Sequence, residues 1–140
     1  MSAAVYASFV FTVLLLLTTA YFLMGGLPLL ILKHDTPLDA NFIRAFFNLY
    51  YKAAIGTACG AALSFGWWGR PGFAAGAAAI ALIAVLLRKH LIAAMENAGG
   101  RIQASDSGAV RSFRKLHSTA LLVNLVQLCV LVWGVLNIRV

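Results

Sequence analysis

Long runs of apolar residues, separated by short polar stretches, set the pattern of this chain. Residues 5–32 contain no charged side chain, and this run exceeds the roughly 20 apolar residues that carry a helix across a bilayer. Three further segments of helical length follow, each bounded by a polar or glycine-containing turn. We therefore predict an all-α integral membrane four-helix bundle. It forms a single transmembrane domain of residues 1–140, with spans at about 5–32, 42–67, 71–98 and 107–138.

Local signals place the ends of these helices. Asp39 or Asn41 is suited to cap the second helix, because a short polar side chain can accept a hydrogen bond from a free backbone N–H group. The Gly99–Gly100 pair should stop the third helix, since glycine favours the position that follows a helix end. The Gly25–Gly26 pair should allow a second backbone to approach the first helix closely.

Aromatic residues cluster near the start of the second span. Such rings concentrate at the membrane–water boundary, where one side of the ring is apolar and the other is hydrated. We therefore expect an interfacial aromatic belt at this position. Its members would be Phe46, Phe47, Tyr50 and Tyr51.

Composition supports the membrane assignment. Hydrophobic residues make up 62% of the chain and charged residues only 11%, whereas a soluble domain carries about 25% charged residues. The net charge of +7 would suggest nucleic acid as a partner for a soluble protein. Here the basic residues lie beside apolar spans, so lipid headgroups explain them better, and we expect no nucleic-acid partner.

The distribution of basic residues predicts the orientation in the membrane. Four spans put both chain ends on one side and the loops near 33–44 and 88–115 on the other. Because cytoplasmic loops carry the excess of Lys and Arg, both loops should be cytoplasmic and both termini outside, in a bacterial inner membrane. The loop side holds Lys33, Arg44, Arg88, Lys89, Arg101, Arg111, Arg114 and Lys115, against Arg70 and Arg139 on the other side.

Small residues at helical spacing favour a packing role for the second and third spans. Such positions let helix backbones approach closely within a membrane. They offer more packing surface than four short helices need, which favours a structural or accessory subunit of a homo-oligomer or larger membrane complex. The candidate helix-packing residues are Gly56, Gly60, Ser64, Gly72 and Gly76.

A second hypothesis uses polar residues inside the spans. His117 and Asn124 are seven residues apart and share a helix face, while Asn48 and Lys52 share a face of the second helix. These four could line a cavity at the cytoplasmic end, as ligand sites within helix bundles do. The alternative function is therefore a membrane enzyme or carrier for a quinone- or polyketide-like ligand.

Metal or haem binding is a weaker variant of that hypothesis. The metal-ligand candidates are His34, His90 and His117, which all fall at cytoplasmic ends of spans. No paired-histidine or cysteine spacing supports a site, so we expect no cofactor. No carboxylate falls within a span, which argues against a proton-driven pump. We assign no catalytic residue, and whether the chain is an enzyme stays open.

The fourth span carries a recognisable pattern, Phe113-x-x-Leu116-His117 followed by Asn124 and Leu128. It resembles the transmembrane protein 205-like family, whose members have four spans, a Phe-x-x-(Leu or Tyr)-His entry and a following Asn. The resemblance covers most of the chain in layout and matches specific residues in the last third. It implies a four-span fold and leaves activity open, because that family has no established function. A more distant similarity to anthrone oxygenase-like four-span proteins implies cofactor-free chemistry on aromatic polyketides.

Overall fold

Four helices form the whole of the fold in the computed structural model, which describes residues 2–139. They are α1 (Ala3–Leu29), α2 (Pro37–Trp67), α3 (Pro71–Gln103) and α4 (Ser107–Asn137). Contacts run from α1 to α2, α2 to α3, α3 to α4 and α4 back to α1, so the helices enclose a common core. The structure confirms the all-helical prediction.

Three of these helices, α1, α3 and α4, are long and apolar enough to cross a membrane. Their apolar side chains also cover much of the outer surface, including the exposed Tyr21, Met24 and Trp133. Soluble monomers rarely expose continuous apolar surface on this scale, so a membrane protein is the class that fits. Helix α2 lacks a charge-free stretch as long as those of the other helices, because Lys52 lies at its middle, whereas the charged residues of α3 and α4 lie toward the basic part of each helix.

One end of the bundle, which we call the basic end, holds the α1–α2 and α3–α4 turns. There the guanidinium of Arg114 donates a hydrogen bond to the Leu30 carbonyl at 2.9 Å, joining α4 to the end of α1. Arg44 of α2 and Glu96 of α3 form an ion pair at 3.1 Å. Eight of the eleven Lys and Arg residues lie in the turns of this end or in the adjacent halves of the helices.

The opposite end, which we call the terminal end, holds the α2–α3 turn and the ends of the described chain. The ring of Phe9 in α1 lies 6.2 Å from that of Trp68 in the turn. Gly69 has φ +78°, a left-handed conformation that glycine adopts without a steric penalty. Pro71 then begins α3 at the first helical position, where its missing N–H has no helical partner to lose.

Two helix ends differ from the sequence predictions. The cap of α2 is Thr36, whose side-chain oxygen accepts a hydrogen bond from the backbone N–H of Asp39 at 3.2 Å, so neither Asp39 nor Asn41 is the cap. The prediction that Gly99–Gly100 ends the third helix was also wrong, because α3 continues to Gln103.

Packing explains why α3 continues through its glycine pair. Ala98 before the pair and Ile102 after it are both buried. Gly99 faces Ala40 of α2, where an added Cβ would lie at an ordinary contact distance of 3.7 Å. A glycine inside a helix costs about 1 kcal/mol relative to alanine, and the burial of Ala98 and Ile102 on either side of the pair offsets that cost.

The predicted aromatic belt is instead part of the core. Phe47, Tyr50 and Tyr51 are almost fully buried, and Phe46 is half-buried. The ring of Phe22 in α1 stacks on Tyr50, with centroids 3.9 Å apart. The belt prediction was wrong for the three buried residues because they lie on the face of α2 that packs against the other helices.

Candidate functional site

Two histidines meet inside the basic end of the bundle. Nε2 of His34, in the α1–α2 turn, lies 3.0 Å from Nδ1 of His117 on α4. Both side chains are fully buried. His34 has φ +60°, a left-handed conformation that is uncommon for residues other than glycine. The turn therefore holds its histidine in an unfavourable backbone conformation with the side chain directed into the bundle.

The hydrogen bonds determine the tautomers of this pair. Nε2 of His117 lies 3.0 Å from the Gly26 carbonyl, which can only accept, so Nε2 of His117 carries the proton. In the neutral ring, Nδ1 of His117 is then an acceptor, and it accepts from Nε2–H of His34. Each ring therefore donates one hydrogen bond, from His34 to His117 and from His117 to the backbone of α1.

Gly26 allows these two hydrogen bonds to form. A Cβ added at Gly26 would lie 2.5 Å from Cδ2 of Leu121 on α4, well inside a normal contact. The absence of a side chain therefore brings α1 close enough to α4 for the carbonyl of Gly26 to reach His117. The close approach expected at Gly25–Gly26 occurs here, and a Cβ at Gly25 would likewise meet Phe46 at 2.8 Å.

The other ring nitrogen of His34 has no hydrogen-bond partner. Its Nδ1 is the one buried side-chain nitrogen or oxygen of residues 2–139 that lacks one. Burial lowers the pKa of His34, and the nearby guanidinium of Arg114 lowers it further. The Leu32 carbonyl and the carboxylates of Asp39 and Asp35 act in the opposite direction. The net shift favours the neutral imidazole that the hydrogen bonds require.

A second polar cluster lies deeper in the bundle, one to three turns beyond His117 along α4. The hydroxyl of Tyr50 donates to Oδ1 of Asn124 at 2.6 Å, and Nδ2 of Asn124 donates to the Thr19 carbonyl at 3.0 Å. Nε2 of Gln127 lies 3.2 Å from both the Tyr50 hydroxyl and Oγ1 of Thr19. This cluster connects α1, α2 and α4, and its polar groups serve as hydrogen-bond partners for one another.

The remaining candidate residues lie elsewhere. Asn48 is half-buried and accepts a hydrogen bond from Nε of Arg88 at 2.9 Å, which joins α2 to α3. Lys52 and His90 are exposed on the outer surface. The structure therefore brings His117 together with His34, and Asn124 with Tyr50, but it does not assemble the proposed set of His117, Asn124, Lys52 and Asn48.

The metal-ligand candidates divide in the same way. His34 and His117 are paired, whereas His90 lies on the outer surface of α3. Within residues 2–139, no three His, Cys, Asp or Glu side chains lie close enough to hold one metal ion. The donor set available at the pair is two imidazoles, of which only Nδ1 of His34 has a free lone pair.

The predicted packing glycines also fall into two classes. A Cβ at Gly60 would overlap the Phe11 ring of α1, and Ser64 is buried with its hydroxyl bonded to the Gly60 carbonyl at 2.8 Å. Gly56, Gly72 and Gly76 are exposed, and a Cβ on any of them would meet nothing within 4 Å. Gly60 therefore serves packing within the bundle, while the other three leave open surface.

Three contributors to the site were missed from sequence: Thr19, Tyr50 and the carbonyl of Gly26. Thr19 is one of four Ser and Thr residues in the charge-free first span, and the sequence does not distinguish it from the adjacent Thr18. Its hydroxyl also bonds the Leu15 carbonyl at 2.8 Å, a local contact that any helical threonine can make. A backbone carbonyl has no sequence signal.

Comparisons of the chain with family models, with curated proteins and with solved structures found no match. The resemblance of the fourth span to the transmembrane protein 205-like family therefore stays a prediction. The interpretation of the site rests on its own geometry.

Proposed function

We propose that all four helices cross the membrane, with the basic end in the cytoplasm and both termini outside. The turns support this placement for α2. Helices α1 and α3 both run from the terminal end to the basic end, and α2 connects the end of one to the start of the other. If α1 and α3 cross a bilayer, α2 must cross as well. The excess of Lys and Arg at the basic end supports the orientation.

Within that placement, we propose that the protein is a structural or accessory subunit of a larger membrane assembly. One observation carries the proposal: the polar side chains inside the bundle bond to one another. The pair of His34 and His117 and the cluster around Asn124 join α1, α2 and α4. Hydrogen bonds of this kind contribute about 1 kcal/mol each to association of membrane helices.

The cavities support the same conclusion. Three of the cavities have volumes of about 390, 360 and 220 Å³, and none of these is lined by His34, His117 or Asn124. Of the deeper cluster, Tyr50 alone reaches one of them, the cavity of about 360 Å³. A site that acts on a lipophilic molecule needs its polar groups at the wall of a pocket. Here those groups lie between helices, where they specify how the helices pack.

The assembly surface proposed for this role includes Gly56. This exposed residue leaves open space on α2, so it can admit a helix of another subunit. Gly56→Leu should release the protein from its complex on a native gel without lowering the stability of the protein itself. Gly66→Leu is the matched control, since Gly66 is also an exposed α2 glycine with no atom near its Cβ position. An unchanged complex in Gly56→Leu would contradict the proposal.

A second candidate, a membrane enzyme or carrier, is favoured by one feature. Nδ1 of His34 is buried without a partner, in a residue with a left-handed backbone. Unfavourable backbone conformations are enriched at functional sites. An absorption spectrum with metal analysis on protein purified in mild detergent tests this candidate. The structural proposal expects a colourless, metal-free sample, whereas a haem band or stoichiometric metal that His34→Asn removes would support the second candidate.

A further inference from the structure

The cavity of about 390 Å³ lies at the terminal end, far from the histidine pair. All four helices contribute to its wall, but most of the lining comes from the start of α3 and the end of α4. The lining residues include Phe73, Gly76, Trp133, Gly134 and Ile138. We call this space the terminal cleft. Its volume lies in the range of small-molecule sites, about 300 to 1,000 Å³, and its wall is almost entirely apolar.

Glycines on both sides of the terminal cleft keep it open. A Cβ added at Gly72, Gly76 or Gly134 would meet no atom within 4 Å. In the rest of the bundle, glycines bring elements together, as Gly26 and Gly60 do. The glycines of the cleft instead leave room between α3 and α4, and the apolar wall suits a flexible hydrocarbon chain.

An arginine crosses the end of the terminal cleft. The guanidinium of Arg70, in the α2–α3 turn, donates to the carbonyl of Arg139 beyond the end of α4, and it lies 4.9 Å from the centre of the Trp68 ring. It therefore connects the two helices that flank the cleft. The four carboxylate side chains of the chain, Asp35, Asp39, Glu96 and Asp106, are all at the basic end.

We propose that the terminal cleft binds one acyl chain of an anionic phospholipid and that Arg70 holds its phosphate. A guanidinium presents a planar set of donors that matches phosphate oxygens. The inference goes beyond the structural role, but it rests on the proposed four-span placement, because that puts Arg70 at a membrane surface. A second copy of the chain is a poorer occupant, since it would bring further arginines and no acidic side chain to this end.

Native mass spectrometry in mild detergent tests the proposal directly. The protein would be mixed with phosphatidylglycerol or phosphatidylcholine of equal chain length, and the fraction carrying one lipid would be measured. We expect a single bound phosphatidylglycerol, preferred over phosphatidylcholine about tenfold, because the positive choline group of phosphatidylcholine offsets its phosphate charge and is repelled by the Arg70 guanidinium. Arg70→Gln should remove the preference.

Substitutions that fill the cleft test whether it holds the acyl chain. Gly76→Leu and Gly134→Leu enter the cleft from opposite helices, and each should abolish the bound lipid. Gly66→Leu, which adds the same side chain outside the cleft, should not. Circular dichroism would show that each variant is folded, and two independent positions keep the test decisive if one is not.

Several results would overturn the inference. Wild-type protein without bound lipid, equal retention of both lipids, or unchanged retention in both cleft-filling variants would each do so. A dimer that the cleft-filling variants abolish would assign the cleft to a second copy instead.

Topology must be measured on the same protein. Single cysteines from Asp35→Cys and Trp67→Cys flank α2, and Arg139→Cys lies after α4. In a background with Cys59→Ala and Cys129→Ala, Asp35→Cys should label from one side of the membrane, and the other two should label from the opposite side. Labelling of Asp35→Cys and Trp67→Cys from the same side would show that the four-span placement has failed. Opposite labelling without bound lipid would show that only the lipid proposal has failed.

Discussion

The helices pack differently at the two ends of this bundle. At the basic end, polar groups from α1, α2 and α4 meet in hydrogen bonds, and Gly26 brings the backbones together. At the terminal end, contacts are apolar and glycines such as Gly76 leave a cleft. Hydrogen bonds require fixed distances and angles, so they determine how helices align, whereas apolar contacts in lipid tolerate a gap that a hydrocarbon chain can fill.

The largest expected effect comes from removing His117. His117→Ala would leave the Gly26 carbonyl and Nε2–H of His34 buried without partners, and it would open a cavity. We expect the free energy of unfolding to fall by about 2 to 4 kcal/mol. Denaturant unfolding in detergent micelles measures it. Leu136→Ala, at a highly exposed residue of the terminal end, serves as control and should change little.

Paired glycine substitutions contrast the two ends. Gly26→Ala should destabilise the fold by about 1 to 3 kcal/mol, because its methyl group would overlap Leu121. Gly76→Ala should stabilise it by about 0.5 to 1 kcal/mol, because it adds helix propensity in open space. Thermal unfolding of both variants would check the signs. Equal effects at the two positions would mean that the ends do not differ in packing.

A double-mutant cycle sharpens the account of the deeper cluster. Tyr50→Phe and Asn124→Leu each break the hydrogen bond between the two side chains. If the bond contributes to packing of α2 with α4, the two changes should be less than additive by about 0.5 to 2 kcal/mol. The cycle is measured by denaturant unfolding, and strict additivity would show that the bond does not contribute.

The smallest effect expected in this set concerns pH. The pKa of His34 lies below its ordinary value of 6.5, so the unfolded chain binds the proton more readily than the folded chain. The contribution of neutral His34 to the free energy of unfolding should therefore be fully present above about pH 6.5 and should decline as the pH falls below it. The opposing carboxylates of Asp35 and Asp39 moderate the decline.

Two variants test whether His34 causes that pH dependence. His34→Asn should make the decline shallower, and asparagine also tolerates the left-handed backbone at this position. His90→Asn is the control, because His90 is exposed on α3. Thermal unfolding at several pH values between 5 and 8 compares the three proteins. A decline that steepens in His34→Asn would have the wrong sign for this account.

Much of the fold could be predicted from the sequence. The charge-free run of residues 5–32 and the Pro71 turn mark helices by composition alone. The end of α3 could not be predicted, because the burial of Ala98 and Ile102 outweighs the local preference of the glycines between them. Tyr50 was misplaced for a related reason: an aromatic residue near a span end suits the interface and the core equally.

The site was less predictable than the fold. His34 and His117 are separated by 83 residues, and only the return of α4 to α1 brings them together. Their location at one end followed from the span pattern, but their pairing depends on the backbone of Gly26, which the sequence does not specify. The terminal cleft gave no sequence signal, since Gly72 and Gly76 also fit a close-packed interface.

The central claim is that the polar groups at the basic end are bonded to one another. Nitrogen-15 NMR of histidine-labelled protein in detergent tests it most directly, with the exposed His90 as an internal reference. The account predicts that the imidazole proton of His117 resides on Nε2, with Nδ1 shifted as a hydrogen-bond acceptor from His34. A His117 ring that exchanges between tautomers as freely as His90 would contradict it.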